Sequence, residues 1–242
     1  MKLELLAFGV HPDDVELSCA GVLLVEKKNG KKTGIIDLTE GELGTRGNAN
    51  TRLKESAKAS ELLEIDVRDN LRMADGFFRN DEDHQKRIIT VLRKYKPEII
   101  FCNAPEDRHP DHGRSASMIS DSAFLSGLVK IETKLNGIIQ DPWRPKYVFH
   151  YIQDRYIKPD IIVDISGVFE KKLEAIKAYS TQFYNPELNE PETYISKPGF
   201  MDSVIYRARM FGKLIGVEYG EGFISTKAIG IKTFNALVQE NT

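Results

Sequence analysis

The chain has 242 residues, 41% of them hydrophobic, and 34 Lys and Arg stand against 36 Asp and Glu for a net charge of −2. That balance removes the electrostatic footprint of a nucleic-acid or anionic-membrane partner, and no apolar stretch is long enough to span a bilayer. Glu4 interrupts the first apolar run, which is not the pattern of a signal peptide, and the two cysteines give no disulfide framework, so the expected compartment is the cytoplasm.

Leu3 to Val10 is a short apolar run that stops on His11-Pro12-Asp13-Asp14. Bounded by Gly and Pro and followed by a helical pattern, it reads as a buried parallel strand. Leu17, Ala20, Gly21 and Leu24 then recur at helical spacing, in a helix expected to run to Asn29-Gly30. Thr33–Leu38 is a second strand, and Thr39–Gly47 a polar, glycine-rich loop of the kind that carries binding groups. A helix over 50–63, a strand over 67–71, a loop with Asp75-Gly76 and a helix over 82–95 come next. Pro97 opens a strand over 98–102, which runs out into Glu106-Asp107-Arg108-His109-Pro110-Asp111-His112 and a helix. Further strands are expected near 146–152 and 161–164, and helices near 167–179 and 200–215. Strands alternating with helices call for right-handed βαβ units. The expectation is a single α/β domain: a Rossmann-like, mostly parallel sheet with helices on both faces.

Two turns carry the functional signal. His11 and Asp14 are three apart, as are His109 and His112, and each pair falls just after a strand and just before a helix. Taken alone, a His-Pro-Asp turn is only a turn, because Pro and Asp suit turns and helix starts. Two of them at strand ends are a different matter. In open α/β sheets ligands bind outside the carboxyl ends of the strands, and adjacent strands would bring both turns to one crevice. A divalent metal with His and carboxylate ligands wants such a preset cluster.

His11-Pro12-Asp13-Asp14 with His109-Pro110-Asp111-His112 resembles the signature of the LmbE-like (PIG-L) zinc-dependent N-deacetylases, over nearly the whole chain. The 39–47 loop, Glu106-Asp107-Arg108 and Arg207-Ala208-Arg209-Met210-Phe211-Gly212 resemble the bacillithiol-pathway branch, which removes acetyl from N-acetylglucosaminyl malate. The resemblance implies His11, Asp14 and His112 as metal ligands, with zinc as the ion and ferrous iron accepting the same set. It implies Asp13 as general base and then acid, a charged His109 stabilising the tetrahedral intermediate, and Asp111 orienting His109. Arg52 and Asp75 would lie near the sugar, and Arg108 and Arg144 are candidates for the malate carboxylates, since guanidinium suits bidentate recognition. Relatives form hexamers, so a homo-oligomer is implied. Some relatives place a tyrosine where this chain has Phe200; Tyr194 is nearby in sequence.

Two other readings use the same residues: a facial triad for ferrous redox chemistry, and a binding module that keeps the ion without turnover. Asp13 argues against the second, because a structural ion needs no free carboxylate beside it.

Overall fold

The computed structural model describes residues 1–237. Strand β1 (Leu5–Gly9) is buried at every position, and its alternate residues serve two cores. Leu5 and Ala7 pack on one face, Leu6 and Phe8 on the other, which is why the run is apolar without a break. After β1 come helices α1 (Asp14–Ser18) and α2 (Ala20–Lys28), strand β2 (Thr33–Asp37), helix α3 (Ala49–Leu62), strand β3 (Val67–Asn70), helix α4 (Glu82–Tyr95), strand β4 (Ile99–Cys102) and helix α5 (Pro110–Leu125). A small hairpin, β5 (Lys134–Leu135) and β6 (Ile138–Ile139), precedes strands β7 (Tyr147–Tyr151) and β8 (Ile161–Asp164), helices α6 (Phe169–Lys177) and α7 (Phe200–Ile215), and strand β9 (Gly220–Ser225).

The sheet order is β3-β2-β1-β4-β7-β9-β8. The first five strands are mutually parallel, and β9 alone runs antiparallel to its neighbours. One core holds α1, α2, α3, α6 and α7 residues such as Leu23, Ala59, Leu173 and Ala208. The other holds Ile88 and Leu92 of α4 and Met118 and Ile119 of α5. This is the α/β architecture that the alternation called for. No helix among the described residues is long and apolar enough to cross a membrane, and Cys19 and Cys102 are buried and free.

Two features depart from the sequence expectation. The helix expected to run unbroken to Asn29 is interrupted at Cys19, whose φ is −138°. The cause lies far away in sequence. Glu221 of β9, paired with Lys172 at 2.6 Å, accepts from Gly21 N (2.9 Å) and Val22 N (2.7 Å) and so caps a second helix start. Strand β9 lies beyond the elements expected from the sequence, and it carries two glycines, which weaken a strand interior. Its glycines answer to packing: a Cβ on Gly222 would meet the ring of the buried Phe211 at 3.0–3.2 Å. Gly222→Ala is therefore expected to cost about 1–2 kcal/mol by overpacking. Urea melts of the variant read that loss, and an unchanged midpoint would show that the ring has room to move.

Candidate metal centre and cleft

Strands β1 and β4 are hydrogen-bonded neighbours that run in the same direction, so the turns that follow them emerge side by side. The first turn delivers His11, Asp13 and Asp14; the second delivers Asp107, His109, Asp111 and His112. The three imidazoles gather there, with ring centroids 4.8 Å apart for His11 and His109, 5.2 Å for His109 and His112, and 5.8 Å for His11 and His112. They line a cleft of about 250 Å³ together with Asp13, Asp14 and Arg52.

Asp14 is the anchor. Its Oδ2 accepts from Val10 N (3.0 Å), His11 N (3.1 Å) and Asn103 Nδ2 (2.9 Å), and its Oδ1 from Gln153 Nε2 (3.0 Å). His112 Nε2 lies 3.2 Å from Oδ1 and His11 Nδ1 3.7 Å from Oδ2. Burial opposes ionisation, but His112, His11 and the backbone donor hold the carboxyl well below its ordinary range. Each of these two imidazoles has its other nitrogen held by a carboxylate. His11 Nε2 donates to Asp75 Oδ1 at 3.0 Å, and His112 Nδ1 to Asp107 Oδ2 at 2.5 Å. Against the burial that would lower them, these partners and Asp14 raise both histidines, His112 to about 10.

The donor chemistry fits a divalent cation. His11, His109 and His112 offer ring nitrogens within 4.8 Å of one another, and His11, Asp75 and Asp111 form a second such set. A buried carboxylate that raises the proton affinity of two imidazoles is a place that favours positive charge. Carboxylates fixing the far ring nitrogens are the usual outer support of a histidine-bound ion.

Asp13 is buried beside the cluster with φ +133°, a conformation that a non-glycine residue adopts only when its surroundings over-determine it. Burial pushes its carboxyl up to about 7, against the opposing pull of Arg52. Arg52 Nη1 stands 3.7 Å from Asp13 Oδ2 and donates to Pro12 O at 3.2 Å, while Nη2 donates to Gln182. The 39–47 loop wraps this guanidinium so closely that a Cβ on Gly41, itself at φ +65°, would lie 2.9 Å from Nη1.

Several expectations need correction. Asp111 does not orient His109 with its carboxylate: those oxygens accept from Gly76 N (2.9 Å) and Arg114 Nη1 (2.7 Å). Its backbone N–H instead donates to His109 Nδ1 at 3.3 Å. Burial and the charge on His11 and His112 lower the pKa of His109, the direction opposite to that of a held charge. Asp75 lines the cleft, but its oxygens are taken by His11 and by Leu43 N (3.1 Å), which makes it a support for His11 rather than a free sugar contact. Arg144 does not reach the cleft. Its guanidinium donates to Phe124 O and lies 4.2 Å from the Phe124 ring. Arg108 does line the cleft, 4.3 Å over Tyr194 and 3.7 Å from Asp154, and Tyr194 donates to Asp154 at 2.9 Å. Phe200 stands in the same wall. Sequence reasoning passed over Asp107, Asn103 and Gln153 as site residues. Asp107 and Asn103 sit in the loop after β4, where a polar residue in a strand-end turn was the available signal.

An α/β sheet with an imidazole-carboxylate cluster at the carboxyl ends of two adjacent parallel strands defines the class. Residues 6–124 match the GlcNAc-PI de-N-acetylase model, PIG-L. A conserved protein of Thermus thermophilus, known from its crystal structure, is 32% identical, with 95% of this chain and 98% of that one covered and a TM-score of 0.84. The PIG-L match spans β1 to α5, the part of the chain that carries both turns. The chain is 28% identical to a diacetylchitobiose deacetylase of Thermococcus kodakarensis, over 90% of this chain and 81% of that one. It is 24% identical to a probable N-acetyl-alpha-D-glucosaminyl L-malate deacetylase of Bacillus subtilis, over 75% and 84%. The malate enzyme is the more distant of these two, so the branch expected from the sequence rests on local motifs.

Proposed function

We propose that the protein is a metal-dependent N-deacetylase that hydrolyses the acetamido group of an N-acetylglucosaminide, with N-acetylglucosaminyl malate as the substrate. The observation that carries this reading is Asp13: a buried carboxylate, its pKa pushed up to about 7 by burial, that accepts no hydrogen bond among the described residues and stands beside a cluster suited to a cation. His11 Nδ1, Asp14 and His112 Nε2 are the ligands, because Asp75 and Asp107 hold the far ring nitrogens and leave these three donors facing inward. Bound there, a divalent ion, zinc or ferrous iron, supplies Lewis acidity to the amide carbonyl and acidifies water.

Asp13 takes the proton of the attacking water and returns it to the leaving amine, tasks that suit a carboxylate whose pKa lies near the working pH. Arg52 holds Asp13 in its strained turn and faces the sugar. With Nδ1 accepting from Asp111 N, His109 carries its proton on Nε2 and donates it as a neutral hydrogen bond to the developing oxyanion. The proposed enzyme is cytoplasmic and homo-oligomeric, the oligomer resting on family resemblance. A ferrous redox centre would use the same ligands but would give Asp13 no task.

Acetate release under anaerobic conditions, by protein of known metal content, tests the reaction. No acetate from either N-acetylglucosaminyl malate or N,N'-diacetylchitobiose overturns it. The malate assignment has its own test in Arg108. Charge-assisted bonds to a carboxylate at this half-exposed position are worth about tenfold in KM. Arg108→Ala is expected to raise KM for the malate by that factor and to leave the chitobiose KM unchanged; equal effects on both would remove malate from the outer subsite.

A further inference from the structure

We propose that Gln153 is a positioning residue of the metal centre, that Arg207 holds Gln153 in place, and that together they fix which oxygen of Asp14 faces the ion. The inference rests on the metal-dependent reading above. A carboxylate oxygen offers about two lone-pair sites. Asp14 Oδ2 meets three donors, from Val10, His11 and Asn103, and is full. Oδ1 accepts one protein amide, Gln153 Nε2 at 3.0 Å, and turns its remaining site toward His112. The Gln153 amide has only one workable orientation, because its Oε1 accepts from Asn103 Nδ2 at 3.0 Å, so its NH₂ must face Asp14.

Gln153 lies just past β7, and Asn103 just past β4. The pairing of Cys102 with His150 sets these two strand ends side by side. Arg207 of α7 closes the arrangement from behind. It donates through Nη1 to Gln153 O and through Nη2 to Leu17 O at 3.2 Å. Leu17 belongs to α1, the helix that begins at Asp14. Among the described residues no carboxylate lies within ion-pair distance of Arg207. Spending a half-buried guanidinium on two neutral carbonyls carries a desolvation cost. What it secures is the distance between the segment that carries Gln153 and the helix that carries Asp14.

The test uses the full-length protein loaded with zinc or with cobalt. Gln153→Met removes the amide with little change of volume. Zinc affinity, read by competition with a chelator at equilibrium, is expected to fall about ten- to hundredfold. The visible bands of the cobalt protein are expected to shift as the Asp14 carboxylate becomes free to turn. Arg207→Met should move both readouts the same way by less, and Arg207→Lys, which still donates to a carbonyl, should restore them in part. Parental zinc affinity and cobalt spectrum in Gln153→Met overturn the inference and leave the deacetylase reading standing. Where Gln153→Met does not fold, the same result in Arg207→Met does so. A parent protein that takes up neither zinc nor cobalt overturns the metal reading and this inference with it.

Discussion

An Asp13→Asn enzyme is expected to keep its fold and its metal and to turn over about 10²–10⁴ times more slowly. The size follows from asking one carboxylate to serve two proton transfers, removal from water and delivery to the amine. The amide of asparagine fills the same space and still approaches Arg52, but it accepts no proton. Retention of metal follows because Asp13 is not among the proposed ligands, His11, Asp14 and His112, and Asp14 keeps its own four protein donors. The backbone gives a second reason to expect a clean result. Asp13 stands at φ +133°, and asparagine, of the same size and shape, places no greater steric demand on that conformation. Metal content, melting temperature and kcat measured on one preparation separate the outcomes. Parental kcat with full metal content would remove Asp13 as the base.

Why Asp13 was legible at all comes down to how local its signal is. His11, Asp13 and Asp14 follow an apolar run directly, and His109, Asp111 and His112 close the short polar loop that leaves β4 and open a helix. Placing both turns in one crevice needs only the adjacency of two parallel strands, which βαβ connectivity favours. Roles that depend on partners from elsewhere could not be read this way. Asp75 looked like a turn residue near a sugar, and becomes a support for His11 only because its loop folds over the end of β1. Gln153 is one polar residue after a strand, with nothing in its neighbourhood to single it out. Arg144 and Arg108 are alike as sequence, yet the first is drawn to the carbonyl and ring of Phe124 and the second opens on the cleft. The break in the first helix has the same origin, since Glu221 acts from two hundred residues away. Local chemistry was readable; assignments made by tertiary packing were not.

Stripping the metal should expose the charge that His112 carries in its absence. In the metal-free protein Asp14 and Asp107 raise His112 from 6.5 to about 10 against the effect of burial. A raised folded pKa means that the folded state binds the proton more tightly. The stabilisation is full below pH 6.5 and is lost as pH rises toward 10. The melting temperature of chelator-treated protein is therefore expected to fall between pH 6.5 and 9. The gain from saturating zinc should change with the opposite sign over the same range, because His112 must give up its proton to bind an ion and the competition weakens as pH rises. His112→Ala should remove this group's part of the metal-free slope. It should also weaken zinc binding by more than the roughly hundredfold cost of losing a group that merely holds a ligand. A metal-free protein with a flat profile, or a His112→Ala variant that holds zinc as tightly as its parent, would place the ion elsewhere than between His112 and Asp14.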